Sequence, residues 1–389
     1  MKKEDIVSLL VYALMIVIAV MVGLFIVGPL MGNFTFIGAS DEGPLKIFLA
    51  LGLVIAAIIF NVILLELGHM IGARMSGYKF FSVNMLGLCF YKLNNRWKVK
   101  FKSFDGLTGE TKIKPIKEDA SPRWYSLMPL IFYLIEALIL MIVYYVLKGI
   151  IGEEYYSATN RSLLLLCVTC ILFVTIGGML TLYNIFPAKL DSTTDGYRLT
   201  LLSNKENIKA FNELMRIEGA YSEGQELTDM KTFEEINNFT CSINLYTVYK
   251  HLKNKNYAEA VVLLDKMIAV REKLSRDTYC SVIAQKMFIV LLTQDQQAAK
   301  TYYDTHINQD ERRYISNDLS MPSIRAYMLI SSILDISEHE ARYAKSRVKK
   351  ALKRTLPGRI EVEKELFQVA LDKVDQVRPE WHIKEEEIK

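Results

Sequence analysis

The stretch "NVILLELGHMIGARM", residues 61–75, places a glutamate and a histidine at the end of an apolar run that begins near residue 45. About 20 consecutive apolar residues are enough to cross a bilayer as a helix. Ionisable side chains within such a segment are costly, so Glu66 and His69 are candidate functional residues. We therefore expect a membrane helix that carries a polar site at one end.

The chain has 389 residues, and three further apolar runs have a similar length. The predicted spans are residues 6–31, 45–67, 127–147 and 162–185. The first run is too long for a signal peptide and more spans follow it, so we predict that it is retained. Because the sequence becomes charged and mixed from residue 199, we predict a membrane domain over 1–198 and an α-helical soluble domain over 199–389.

The basic segments of the sequence all fall on one side of the predicted membrane. Lys2 and Lys3 precede the first span, and the loop between the second and third spans, residues 74–123, is strongly basic, whereas the other two loops are short and acidic. Since cytoplasmic loops are enriched in Lys and Arg, we predict a multi-pass cell-membrane protein with both termini in the cytoplasm. The net charge of +4 is too small to indicate a nucleic-acid partner.

The basic loop has a β-rich pattern. Its segment "FSVNMLGLCFYKLNNRWKVKFKSF", residues 81–104, contains two partly alternating runs joined at residues 93–96, where asparagine tolerates the positive φ of a tight turn. We predict a membrane-proximal β-hairpin within 78–114. Such a hairpin could rest on anionic headgroups or offer a strand edge to an extended peptide, and the sequence favours neither.

Further polar residues lie in or beside the later spans. Glu136 lies inside the third span. At the end of the fourth span, the segment "YNIFPAKLDSTTDGYRL" contains Asn184, Pro187, Asp191 and Asp195. Glu136 could supply a metal ligand, pair with a cation or act as a neutral packing residue, and burial favours the neutral form. A transporter accessory that uses Glu136 is a further alternative.

Two of these motifs together resemble the site-2 protease family, the zinc intramembrane metalloproteases. The segment from Leu65 to His69 is similar to H-E-x-x-H with leucine at the first histidine position, and Asn184-x-x-Pro187 followed by Asp195-Gly196 is similar to the second family motif. The order, the spacing and the predicted topology also agree with the family. The resemblance covers residues 45–197 and does not extend to the soluble half.

The resemblance implies a zinc site. In this family two histidines four apart on a helix and a distant aspartate hold the metal, and a glutamate takes a proton from the metal-bound water. By this resemblance Glu66 would be the general base, and His69 and Asp195 would be ligands, with Asp191 as an alternative carboxylate.

Asn184 and Pro187 would shape a break in the fourth span that brings the aspartate to the site. Such a break exposes backbone groups, which a membrane tolerates only where they line a cavity or pack against protein.

Leu65 departs from the family pattern, because a leucine side chain cannot donate electrons to zinc. We expect the fold to survive, since leucine and imidazole are similar in bulk, but we expect zinc binding and catalysis to be impaired. Two functions follow as alternatives. One is an impaired intramembrane zinc protease that cleaves membrane-embedded or signal peptides. The other is a pseudoprotease that binds a membrane segment or peptide and reports through its helical domain.

The soluble half has a helical period. The segment "NYAEAVVLLDKMIAVREKL", residues 256–274, places Ala260, Leu263, Leu264, Met267 and Ile268 on one face. Similar helix pairs recur at irregular spacings of about 40 residues and resemble a degenerate tetratricopeptide-type array. Such arrays present concave surfaces to protein or peptide partners, although an ordinary helical bundle fits the pattern equally well.

Overall fold

The computed structural model divides the chain into two compact units, Met1–Ile208 and Lys209–Lys389. It describes residues 3–33, 43–85, 87–93, 96–101, 109–152, 160–187, 194–225, 227, 229–231 and 233–383. The two units are built differently, since the first contains long apolar helices and a small sheet, whereas the described residues of the second form helices and no strands.

The first unit is organised around long apolar helices. Its helices are α1 (Lys3–Val22), α2 (Gly28–Asn33), α3 (Gly43–Met75), α4 (Arg123–Ile151), α5 (Arg161–Ile185) and α6 (Asp195–Leu201), with a π-helical turn at Gly23–Val27 between α1 and α2. Among the described residues, α3, α4 and α5 are long and apolar enough to cross a membrane, while the apolar segment Leu9–Phe25 is shorter. Three of the four predicted spans thus correspond to helices of membrane-spanning length, which indicates a membrane protein.

Helix α3 extends beyond the predicted span, because its polar end packs closely on α4. A Cβ added at Gly68 would overlap the backbone of Pro129, and one added at Gly72 would overlap the backbone of Trp124. Glycines four residues apart lie on one face of a helix, and small residues there let two helix backbones approach. This close crossing brings His69 against the start of α4.

The basic loop folds as an antiparallel sheet rather than a single hairpin. Its strands are β1 (Tyr78–Met85), β2 (Leu88–Leu93), β3 (Arg96–Phe101) and β4 (Glu110–Pro115), in the spatial order β3-β2-β1-β4. Leu93 pairs with Arg96, at the position of the predicted turn, while the two intervening asparagines lie outside the described residues. Gly87, with φ of +82°, divides the first β-rich run into β1 and β2, since glycine accepts this conformation without strain.

The second unit is an all-α domain. Helix α7 (Lys205–Ser222) contains the division between the units, and the helices that follow are α8 (Asn238–Lys253), α9 (Tyr257–Ile268), α10 (Arg276–Thr293), α11 (Gln296–His306), α12 (Gln309–Asn317), α13 (Met321–Ile333), α14 (Glu338–Ser346), α15 (Val348–Arg354) and α16 (Ile360–Val377). Ala260, Leu264 and Met267 of α9 are buried in its core, on the face that the sequence predicted. The comparison with tetratricopeptide repeats stays a prediction.

A buried ion pair lies in the core of this unit. Arg325 is fully buried, pairs with Glu363 and donates a hydrogen bond to Gln285 at 2.5 Å, while Arg359 reaches Glu363 at 2.6 Å. Burial acts to raise the pKa of Glu363, but the two guanidinium groups outweigh it and hold this pKa below its ordinary value. The stabilisation that follows is therefore present at neutral pH and is lost as the pH falls through the lowered pKa.

Replacing the cap of α8 should have a measurable but modest effect on the helical unit. The Asn237 side chain accepts hydrogen bonds from the backbone N–H groups of Phe239 and Thr240, at 2.9 and 3.2 Å. Asn237→Ala should destabilise the unit by about 1 kcal/mol and lower its thermal midpoint by about 2–4 °C. Asn254→Ala, at the exposed end of the same helix, is the matched control in a fluorimetric melt. Equal midpoints for the two variants would contradict the capping role.

Candidate functional site

The two motifs meet at the end of α3. The Nε2 atom of His69 lies 3.3 Å from Oδ2 of Asp195, and both side chains are buried. His69 is on the last turns of α3, whereas Asp195 is the first residue of α6, just after α5. Residues far apart in the sequence thus form one polar cluster, which we call the His69–Asp195 cluster.

The imidazole is held in a defined orientation. Nδ1 of His69 is 3.0 Å from the Tyr125 carbonyl oxygen, and the two rings are 4.8 Å apart. Because a carbonyl oxygen can only accept, Nδ1 carries a proton, and in a neutral ring the lone pair is then on Nε2, the atom that faces Asp195. Histidines that bind metals are commonly oriented by such a hydrogen bond.

The Asp195 carboxylate is fixed on both oxygens. Asn184 donates from Nδ2 to Oδ2 at 2.5 Å and accepts from the Asp195 backbone N–H at 3.2 Å. Arg198, one turn further along α6, donates to Oδ1 at 3.0 Å. Thr194 caps α6 by accepting from the Tyr197 N–H at 3.1 Å, so the helix begins at the aspartate itself. Asn184 therefore positions Asp195.

Glu66 lies beside the start of β4. Its Oε2 atom accepts a hydrogen bond from the Thr111 hydroxyl at 2.5 Å, and a Cβ added at Gly109 would overlap its carboxyl group. The Tyr125 hydroxyl donates to the Thr111 carbonyl oxygen at 2.8 Å, which ties this strand to the helix that orients His69. The buried carboxyl group of Glu66 is thus placed between the cluster and an edge strand of the sheet.

The remaining predicted site residues are more dispersed. Leu65 is half-buried, one helical turn before His69 and on the same face of α3. Pro187 is exposed just after the end of α5, and Asp191 lies outside the described residues. Glu136 is buried within α4, about 16 Å along the helix axis from Tyr125, which is too far for its side chain to replace a ligand beside His69.

The role of the buried Glu136 side chain as a packing residue can be tested by substitution. Among the described residues, neither of its carboxyl oxygens has a hydrogen-bond partner. Glutamine is nearly isosteric, so Glu136→Gln should change the stability by less than about 1.5 kcal/mol. Glu136→Leu should raise the melting midpoint, because it removes a buried polar group worth about 1 kcal/mol of unfavourable free energy. A large loss of stability in both variants would instead indicate that the carboxylate holds a cation.

Several residues of the site have no clear signal in the sequence. Thr111, Tyr125 and Ser76, whose hydroxyl accepts from the Tyr125 N–H at 3.2 Å, reach the site through tertiary contacts. Arg198 is different, because it lies three residues after Asp195 within one helix, a spacing at which side chains are neighbours. A local search for charge pairs could have found it.

The donor atoms of the described residues do not fit a resident catalytic zinc. Such sites use three protein ligands, and the cluster supplies Nε2 of His69 and Oδ2 of Asp195, while the third position carries the leucine side chain. Across the part of the chain that the structure describes, no group of three or more His, Cys, Asp and Glu side chains could hold a metal ion. The mismatch lies in one side chain, since the two donors that are present face each other.

No family model matches the chain, and no curated protein or solved structure shows significant similarity to it.

Proposed function

We propose that this protein is a catalytically silent counterpart of the site-2 proteases, which binds an extended segment of a membrane-embedded protein or peptide without hydrolysing it. One observation carries the proposal. The His69–Asp195 pair, at 3.3 Å, lies beside a buried glutamate, but the position one turn before His69 is occupied by a leucine.

Leu65 leaves the site without a third zinc ligand, which prevents hydrolysis but does not disturb the fold. Hydrolysis in this family needs a water made acidic by zinc, and two ligands hold zinc far more weakly than three. Without that water, Glu66 has no proton to take. Its hydrogen bond with Thr111 instead gives it a structural role, since it connects α3 with β4.

The binding surface that we propose is the outer edge of β4. This strand lies at one edge of the sheet and carries Thr111, the partner of Glu66. An edge strand has backbone groups that can pair with an added strand, a common mode of peptide recognition. A guest segment that unwinds and pairs with β4 would run past the His69–Asp195 cluster.

We propose that the chain crosses the cell membrane four times, through the three long helices and the first apolar segment. Both termini and the sheet would then lie on the cytoplasmic side. The basic residues of the sheet support this orientation. The helical unit would then lie in the cytoplasm, where we propose that it binds a protein or peptide partner, as a tetratricopeptide-type array does.

A second candidate is a working zinc endopeptidase that acts on membrane-embedded peptides. The orientation of His69 favours it, because the Tyr125 carbonyl oxygen directs the Nε2 lone pair towards Asp195, as in metal sites. The two candidates differ in one property, which is whether the bound segment is cut.

Photo-crosslinking tests where the guest segment binds. A photoreactive amino acid replaces Lys112 on β4 or, as the matched control, Lys98 on β3, the opposite edge strand. The full chain is irradiated in cell membranes, and the adducts are sequenced by mass spectrometry. We expect capture at position 112 to exceed capture at position 98 severalfold. The captured guest proteins should be crosslinked through a membrane or juxtamembrane segment, and that segment should be uncleaved.

Two results would overturn the proposal. Equal capture at both positions would show that β4 is not the binding edge. Guests cut near the crosslink in the parent chain, but intact in a Glu66→Gln background, would establish the second candidate.

A further inference from the structure

The half of the sheet formed by β2 and β3, which we call the outer hairpin, extends away from the His69–Asp195 cluster. All six residues of β3 are exposed, including three large apolar side chains. Trp97 is 51% exposed and Phe101 is 72% exposed, values that are unusual for aromatic residues in a folded sheet. Exposed apolar patches of this kind mark an interaction surface.

These apolar side chains share one face of the outer hairpin. In the strand register Leu88 pairs with Phe101 and Phe90 pairs with Val99, and Trp97 is two residues from Val99 on the same strand. Since side chains alternate between the faces of a sheet, these five residues project to the same side.

The same face continues towards the membrane helices. Val83 of β1 pairs with both Phe90 and Thr111, and Thr111 contacts Glu66 of α3. At the sheet's attachment point, Ile71 and Met75 on the last turns of α3 are exposed and apolar. The face of the sheet that carries these apolar side chains therefore leads, through Val83 and Thr111, to the end of α3, a helix of membrane-spanning length.

The opposite face of β3 is cationic. Arg96, Lys98 and Lys100 alternate with the apolar residues along the strand and are all exposed, and Lys100 lies 5.0 Å from the centre of the Tyr91 ring. An element with aromatic and aliphatic residues on one face and basic residues on the other suits the boundary between lipid headgroups and acyl chains.

We propose that the outer hairpin binds the surface of an anionic bilayer. Its apolar face enters the headgroup–acyl boundary beside α3, and Arg96, Lys98 and Lys100 interact with phosphate-bearing headgroups. Each basic residue near an anionic surface contributes about a fivefold preference, so three should favour anionic over zwitterionic lipid strongly. This binding is independent of the guest segment, which would pair at β4, the opposite edge of the sheet.

The test uses Trp97 as a depth probe. The chain contains three tryptophans, so Trp124→Phe and Trp381→Phe leave Trp97 alone in the full-length protein. This chain is reconstituted in phosphatidylcholine vesicles that contain a minor fraction of lipid brominated near the top of the acyl chain. The brominated lipid is either phosphatidylcholine or phosphatidylglycerol. We expect both brominated lipids to quench the fluorescence of Trp97. The fraction of brominated phosphatidylglycerol needed for a given quenching should be at least about tenfold lower than the fraction of brominated phosphatidylcholine.

Charge variants separate insertion from headgroup recognition. A triple variant should reduce the preference for phosphatidylglycerol by about tenfold or more, while quenching by brominated phosphatidylcholine persists. Its substitutions are Arg96→Gln, Lys98→Gln and Lys100→Gln. The control is a triple variant with Lys349→Gln, Lys350→Gln and Lys353→Gln. These three exposed residues lie in α15, and their substitution removes an equal charge. Circular dichroism melts check that both sets fold.

The proposal is overturned if Trp97 is not quenched by either brominated lipid. It is also overturned if both lipids quench equally, or if the two charge variants behave alike. Protection of Trp97 from lipid by a co-purifying protein would show that a protein covers this face instead.

Discussion

Leu65→His is expected to give a chain that retains about one zinc ion per molecule after purification, whereas the parent chain retains far less. The substituted residue lies one turn before His69 on the same face of α3, so its imidazole would point towards Nε2 of His69 and Oδ2 of Asp195. Loss of a residue that merely supports a zinc ligand weakens binding by about 10–100-fold, so a restored ligand should strengthen it by at least about 100-fold. Metal analysis and a competition titration with a chelator measure both quantities.

The matched control is Leu67→His. It also adds one histidine to α3, but two residues from His69, where side chains do not share a face. We expect no gain in zinc for this variant. A parent chain that already holds about one tightly bound zinc would contradict the silent-site proposal, whereas equal zinc in the two histidine variants would mean that the metal binds outside the cluster.

Sequence patterns could predict the long helices because burial in lipid depends on local composition. The runs at 45–67, 127–147 and 162–185 correspond to α3, α4 and α5, although α3 continues to Met75. The extension was not predictable from hydropathy, because residues 68–75 are held in the helix by packing on α4, through Gly68 and Gly72. The four-stranded sheet was also only partly predictable, since β4 pairs with β1 across a long connection rather than through a tight turn.

Some residues of the candidate site were predictable from the sequence, and others were not. Glu66, His69, Asn184 and Asp195 could be proposed from two short motifs, because these motifs resemble those of the site-2 proteases and because ionisable residues within apolar spans are uncommon. The contacts of Thr111 and Tyr125 could not, since they depend on how the sheet and α4 fold over the end of α3.

Gly196→Ala is expected to open the cluster and destabilise the membrane unit. A Cβ at this position would overlap the Ile185 carbonyl oxygen and the Phe186 backbone, so α6 could remain in place only if the end of α5 moved. Overpacking typically costs about 1–3 kcal/mol, and a clash with backbone that cannot rotate away should exceed that range. Because Asp195 precedes Gly196, the shift would also break its contacts with Asn184 and His69. A thermal melt measures the first effect.

A second readout shows whether the site itself is lost. Combined with Leu65→His, Gly196→Ala should abolish the gain in zinc binding, because the carboxylate ligand leaves the cluster. Gly149→Ala on α4 is the control, since nothing among the described atoms lies within 4 Å of the added Cβ. It should leave both the melting midpoint and zinc binding close to those of its parent. Since the same methyl group is added in each case, a difference between the two variants measures the close approach of α6 to α5. Retention of zinc in the Gly196 variant would mean that Asp195 is not a ligand, and the link between the two motifs would then lose its chemical basis.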